Sequence, residues 1–387
     1  MLIRAVSIRI WFSLVAVLVL GATACGGSSD EGAREPFAAI ADPVEQGTAV
    51  PIKVAETEPK PAPTVAPAST AEPVSTVAPT PAPAEQPSEP AAVLGSGCGA
   101  GSAPGITTVA FESDGRDRIY EQVVPASYDD LVPMAVVLNW HGLGSNGFEQ
   151  IAFSDYTALA EAEGFIVIAP TGLPSEEGRN SWELAPDQDL NRDDLAFANE
   201  VLDRVIETLC IDDTRVYTTG MSNGGYFSSV LVCEMSDRIA AAASVAALTH
   251  ADDCAPSRTV PYIGFHGTDD EVVPYAGRGV SSLAPGQIVP LFELKILDEF
   301  TEFAVDAGCE AEPVITEFSD NVTSFDFANC VDAVTMTFYE IDGAGHTWPG
   351  SLVSIALSEA LGLGVTTDEI SASETSWAFF EQYSLDS

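Results

Sequence analysis

Basic residues are scarce in this chain: fifteen Lys and Arg stand against fifty-eight Asp and Glu, a formal net charge of −43. Such a surface repels polyanions and favours solubility, which argues against a nucleic-acid partner and says nothing about fold. The Cys-x-x-Cys and His-Glu-x-x-His spacings of common zinc sites are also missing, so neither a metal nor another cofactor is expected. The apolar run at residues 10–20 is too short for a comfortable membrane-spanning helix. Histidine is limited to His141, His250, His266 and His346, so any chemistry that needs an imidazole base has few candidates.

What the sequence does contain begins with an address. Arg4 and Arg9 precede the apolar run, and Ala22-Thr23-Ala24-Cys25 follows it, the pattern of a cleaved export signal covering residues 1–25. The four residues resemble a bacterial lipobox, which would make Cys25 a lipidated first residue and anchor the protein at the outer face of a cell membrane. Residues 26–97 are rich in Pro, Ala, Thr, Glu and Ser, cannot bury enough apolar surface to fold, and read as a disordered linker. As an extended spacer at about 3.1 Å per residue it reaches roughly 200 Å. Residues 98–387 have the length of one catalytic domain, expected to be monomeric.

Within that domain, strand-like runs fall at 119–124, 134–139, 165–169, 215–219, 241–247, 261–265 and 334–341. Helical patterns lie between them, with Leu195, Ala198, Val201, Leu202, Val205, Ile206 and Leu209 on one face of 194–209, and start and stop signals around 290–307. Asp193 and Asp194 read as acids complementing a helix N-terminus. This alternation predicts an α/β fold, a mostly parallel sheet flanked by helices.

The stretch 220–225, Gly-Met-Ser-Asn-Gly-Gly, sits between a strand-like run and a helical pattern. That is the setting of a nucleophile elbow, in which Gly220 and Gly224 permit a tight turn and Ser222 is raised at the strand's carboxyl end. A serine hydroxyl needs a base, and the base needs an orienting carboxylate. In the chain order Ser, acid, His, only His346 leaves room for an acid before it; it lies in a glycine-rich loop after the run 334–341. The acid is sought after the run 261–265, where Asp269, Asp270 and Glu271 are consecutive and spacing alone does not separate them. An oxyanion would be held by the backbone N–H of Asn223 and by one from the loop after run 134–139, for which Leu143 is favoured.

The segment HGTDDEVVPY at 266–275 resembles the HGTxDxxVPY segment of the polyhydroxybutyrate depolymerase and feruloyl esterase group of α/β-hydrolases. HGLGSNG at 141–147, GFIVIAP at 164–170, GMSNGG and GAGHTWPG at 343–350 resemble the same group, and the likeness extends from about residue 98 to the C-terminus. It implies an α/β-hydrolase fold and selects Asp270, giving a triad of Ser222, Asp270 and His346. It further implies an ester hydrolase acting on hydroxyalkanoate oligomers or on acyl esters of polysaccharide. The aromatic ahead of Gly308-Cys309, commonly tryptophan in the group, is Phe300 or Phe303 here. Trp348 and Trp182 are candidates to line the substrate pocket, His141 to shape the oxyanion loop at its edge, and His266 to shape its strand end. The alternatives are a serine peptidase of related fold and a surface lipoprotein that binds without catalysis.

Apart from Cys25 there are six cysteines, an even number consistent with three disulfides in an exported chain. Cys210 precedes the elbow strand and Cys233 lies about three turns down the following helix, so these two are expected to pair. Cys309 with Cys330 flank one excursion, and Cys98 with Cys254 follow by elimination.

Overall fold

The computed structural model describes residues 96–184, 192–248, 254–277 and 295–385. The export signal, Cys25, the linker up to residue 95 and His250 lie outside them.

Among the described residues the strands form one sheet in the order β1-β2-β4-β3-β5-β6-β7-β10-β9-β8. These are β1 (Gly105–Ser113), β2 (Arg116–Val124), β3 (Met134–Trp140), β4 (Ile166–Thr171), β5 (Ile211–Gly220), β6 (Ala241–Val245), β7 (Tyr262–Gly267), β8 (Val314–Glu317), β9 (Val322–Phe327) and β10 (Met336–Ile341). The central strands β4, β3, β5, β6, β7 and β10 run parallel, with antiparallel pairs at both ends of the sheet. The helices are α1 (Gly147–Phe153), α2 (Tyr156–Glu163), α3 (Asp194–Thr208), α4 (Asn223–Glu234), α5 (Ile296–Asp306), α6 (Leu352–Leu357) and α7 (Ala372–Phe380). This is the mostly parallel α/β sheet expected from the alternating pattern, in the α/β-hydrolase architecture that the family resemblance implies.

Each of the seven strand-like runs is a strand, and β3, β4, β6 and β7 at the middle of the sheet are buried on both sides between helix layers. Strands β1 and β8 carry mostly exposed, polar-interleaved residues and escaped that criterion. The turn Asp114-Gly115, both residues at positive φ, joins β1 to β2 as a two-residue hairpin and is the sequence signal for the edge strand. Two apolar clusters cover the two faces of the sheet. One contains Trp140, Phe197, Phe227 and Phe300; the other contains Tyr156, Phe165, Trp348 and Trp377. Phe300 and Phe303 are both buried, packed around Tyr262, so the pair fills core space. Trp377 stacks on Phe165 with centroids 4.0 Å apart, docking the C-terminal helix.

The disulfides correct two of the three expected pairings. Cys309 joins Cys330, as expected, but Cys98 joins Cys210 and Cys233 joins Cys254. The reason is lateral. Helix α4 leaves the carboxyl end of β5 and packs against β6 as closely as against β5. Its last turn therefore arrives near the segment that leads into β7, where Cys254 lies, and away from the start of β5. The start of β5 is met instead by the N-terminal segment, whose Gly97 N–H donates to Ile206 O at 2.8 Å. In the chain-entropy account a crosslink closing a loop of 112 residues stabilises by about 5 kcal/mol, and each of the 21-residue loops by roughly 3 kcal/mol.

Candidate active site

Four loops reach the same place because four parallel strands end at the same edge of the sheet. Strand β3 delivers His141 to Leu143, β5 the elbow, β7 the turn holding Asp270, and β10 the loop holding His346.

Ser222 has φ 54° and ψ −123°, a region that costs a non-glycine residue about 1–3 kcal/mol. The surroundings enforce it: Met221 N–H donates to Trp140 O at 3.2 Å, Ser222 N–H to Val245 O at 2.9 Å and Tyr226 N–H to Ser222 O at 2.9 Å. Strand, turn and helix are thus stitched to β3 and β6, with the side chain at the apex. The two elbow glycines are required by space. A Cβ on Gly224 would lie 2.1 Å from Trp140 O, and one on Gly220 2.4 Å from Gly224 O. Gly142 on the β3 loop faces the serine, since a Cβ there would stand 3.4 Å from Ser222 Cβ and 4.0 Å from Oγ. Among the described residues, the N–H groups of Asn223 and Leu143 donate to no protein acceptor. Their side chains do not compete for the role: Leu143 is exposed and the Asn223 amide bonds elsewhere.

On the other flank, His346 Nδ1–H donates to Asp270 Oδ2 at 2.7 Å. In a neutral imidazole that bond places the proton on Nδ1 and leaves Nε2 as the acceptor, the tautomer a general base needs. The other oxygen, Oδ1, accepts from Val272 N–H and Val273 N–H, each at 2.8 Å. Burial by itself would raise the Asp270 carboxyl, but the hydrogen bonds and charges of His266 and His346 outweigh it and hold the group well below the usual carboxylate range. Asp269 and Glu271 are exposed. The turn folds the chain back over the middle acid only, and this separates the three. The β7 and β10 loops are bonded to each other through Thr268 N–H to Ile341 O at 3.0 Å and Asp269 N–H to Ala344 O at 2.9 Å. His346 is held from behind by its own N–H to Leu363 O at 2.7 Å. An open cleft of about 420 Å³, lined by Asp269, Glu271, Val272, Gly345, Leu363 and Val365 among others, adjoins this flank.

His266 is buried beside the pair, donating from Nε2 to Val273 O at 2.9 Å and standing 3.4 Å from Asp270 Oδ2. It thus holds the strand end, as expected.

Three residues expected at the substrate do not line it. Trp348 is fully buried, donates its indole N–H to Ser373 Oγ at 2.9 Å and packs on Tyr156. Trp182 is buried between Trp140, Phe197 and Phe227. His141 is fully enclosed: its Nδ1–H donates to Gly142 O at 2.7 Å and its Nε2 accepts Gly172 N–H at 2.9 Å. Burial brings the His141 imidazole down from 6.5 to about 4, so it is neutral and structural. In each case the polar ring atoms of the side chain are satisfied inside the core. Asp193 caps α3, accepting Ala196 N–H at 2.7 Å. Asp194 stands in the first turn of α3 as expected and is also buried between Arg118, at 2.9 Å, and Arg192, at 2.8 Å. Two charges in an interior demand a partner, and in a chain this poor in basic residues the arginine two places before Asp194 was the available signal.

Residues 151–254 match the prolyl oligopeptidase family, a stretch running from α1 through the elbow and past β6. In sequence the chain is similar to feruloyl esterase B of Piromyces equi, 29% identical over 216 residues, which are 54% of this chain and 39% of that protein. It is similar also to feruloyl esterase D of Neurospora crassa, 28% identical over 199 residues, 48% of this chain and 65% of that protein. The chain therefore spans about two-fifths of the first relative and just under two-thirds of the second. Among solved structures it is similar to acetyl xylan esterase from Aspergillus awamori, with 17% identity, a TM-score of 0.48, and coverage of 67% of this chain and 100% of that one. With this sheet order and this elbow the chain has the α/β-hydrolase fold, and it is similar in sequence to the feruloyl esterases.

Proposed function

We propose that the protein is an exported serine hydrolase of carboxylic esters that works through an acyl-enzyme. The observation that carries this reading is the 2.7 Å bond from His346 Nδ1–H to the buried carboxylate of Asp270, at the same sheet edge as the strained elbow serine. Ser222 attacks the ester carbonyl while His346 Nε2 takes its proton. Asp270 orients the imidazole and stabilises the imidazolium, and the proton then passes to the leaving alcohol. The N–H groups of Asn223 and Leu143 receive the oxyanion, each donor contributing about 3–4 kcal/mol to the transition state. Water, deprotonated by His346, then releases the acid.

For the substrate, the similarity to feruloyl esterases favours aromatic acyl esters of polysaccharide over hydroxyalkanoate oligomers. Leu143, Phe148, Val272 and Val365 support an apolar acyl group, since they are exposed apolar side chains on or beside the loops that carry the site. Export is supported by three disulfides in one domain, which persist in oxidising compartments. The N-terminal signal and lipidation at Cys25 complete this reading, with the domain as a monomer tethered by residues 26–97.

The test is hydrolysis of p-nitrophenyl acetate by the full chain beside Ser222→Ala, followed by methyl ferulate, acetylated xylan, hydroxybutyrate oligomers and a prolyl p-nitroanilide. Ester turnover that disappears in Ser222→Ala, with an unchanged melting temperature, is the expected result. Turnover of the anilide alone would make the protein a peptidase, and turnover retained in the mutant would remove Ser222 from the mechanism.

A further inference from the structure

The two oxyanion donors belong to loops after different strands, and among the described residues the direct bond between the two strand ends, Met221 N–H to Trp140 O at 3.2 Å, stops short of the donors themselves. A third segment, 180–182, lies across them. At one end Gly144 N–H donates to Asn180 O at 2.7 Å and the Asn180 amide donates to Ser145 O at 2.8 Å, so the segment runs beside the Leu143 loop. At the other end Trp182 donates to both loops. Its indole Nε1–H donates to His141 O at 2.9 Å, two residues before Leu143. Its backbone N–H donates to the side-chain Oδ1 of Asn223 at 2.7 Å, the residue whose own N–H is the other donor.

The bridge is itself immobilised. The indole stacks on Phe227 of α4 with centroids 5.2 Å apart and meets Trp140 edge-on at 5.0 Å. Its two neighbours are tied to the buried ion cluster: Arg192 donates to Ser181 O and Oγ, each at 2.8 Å, and Glu183 N–H donates to Asp194 Oδ2 at 2.9 Å. A core tryptophan needs one partner for its N–H. This one has its single indole donor on one half of the oxyanion site and its main-chain donor on the other.

We propose that Trp182 is a positioning residue for oxyanion stabilisation, setting the separation and aim of the Leu143 and Asn223 N–H groups by bonding to both loops at once. The inference rests on the reading of the site as a serine esterase. Oxyanion donors act through their distance to the developing charge, so a small displacement lowers the rate more than it lowers ground-state binding. The planar ester is bound much as before; the tetrahedral state is not.

The experiment compares wild type, Trp182→Phe and Asn223→Ala on p-nitrophenyl acetate, with Ser222→Ala as the blank. Trp182→Phe keeps an apolar ring and loses the indole donor; Asn223→Ala loses the side-chain acceptor and keeps its main-chain N–H. Each is expected to lower kcat by about tenfold to hundredfold, with KM within about twofold of wild type. Binding of phenylboronic acid, whose adduct with the serine is tetrahedral, should weaken by the same factor as kcat. A Trp182→Phe protein that melts lower yet turns over at the wild-type kcat overturns the proposal and leaves the esterase reading intact. If that variant does not fold by circular dichroism, Asn223→Ala decides, and a wild-type kcat there overturns it equally. A wild-type protein inactive on every ester removes the esterase reading and this inference together.

Discussion

In the proposed mechanism the chemistry on the β7 and β10 side of Ser222 is carried by side chains. Asp270 meets His346 at 2.7 Å and His266 at 3.4 Å, and each group is a titratable residue of a type the reaction requires. On the β3 and β5 side the groups proposed to meet the substrate are backbone N–H groups, and the side chains behind them, His141 and Trp182, are buried and neutral. The difference teaches where each kind of damage should show. A substitution on the first flank removes a reacting or orienting group from a frame that stands without it. On the second flank the frame is the functional group, so rate and stability should fall together.

The largest effect is expected from Asp270→Asn. The amide keeps an oxygen for the two backbone donors but presents N–H to His346 Nδ1, favouring the wrong tautomer. kcat should drop by roughly 10³- to 10⁴-fold, measured beside a melting curve that moves far less than the rate. A collapse of the fold in this variant would break the comparison.

Gly224→Ala tests the opposite flank. Its Cβ would lie 2.1 Å from Trp140 O and 2.6 Å from His141 O, both backbone atoms of the strand end and oxyanion loop. Forcing the elbow off β3 should destabilise by about 3 kcal/mol or more, read from denaturant midpoints, and lower kcat in the same protein. Loss of activity at wild-type stability would sharpen the comparison against our reading, by showing that the elbow can shift without the frame.

A smaller effect comes from pH. The unfolded chain protonates His141 at its ordinary value near 6.5, whereas the folded imidazole resists down to about 4. Between these values the unfolded state binds more protons, so stability is complete above about pH 6.5 and falls as pH drops toward 4, by on the order of 3 kcal/mol. Asp270 has the carboxylate pattern: its contribution is present above 3.8 and is lost only as pH falls below that. The window from pH 6.5 to 4 therefore lies above the one in which the Asp270 contribution is lost. Chemical denaturation at pH 7 and pH 4.5 measures the His141 contribution, and a slope unchanged in His141→Gln would place the loss elsewhere.

The same contrast governs how much could be read before the fold was seen. Ser222 and His346 were legible because a triad needs those residue types in glycine-rich turns after strands, and Asp270 became so through family resemblance. Asp269, Asp270 and Glu271 differ by one place each, and only the reverse turn that brings the N–H groups of Val272 and Val273 back to the middle carboxylate distinguishes them. Trp182 and Trp348 read in sequence as pocket residues because an aromatic with a polar tip has the same letters in a pocket as in a core. Whether that tip faces substrate or Ser373 and His141 O depends on neighbours 25 and 41 positions away.

By itself, then, the chain's order of residues determined the alternation of strands and helices, the elbow, and the types of the reacting groups. These follow from local periodicity, from turn sterics, and from the proton inventory of the reaction. Only the tertiary structure decided the pairing of Cys98 with Cys210 and Cys233 with Cys254, the edge strands, and the bridge from Trp182 to both oxyanion loops. Each of those depends on which element lies beside which, and lateral order in a sheet is set by the packing of many faces at once.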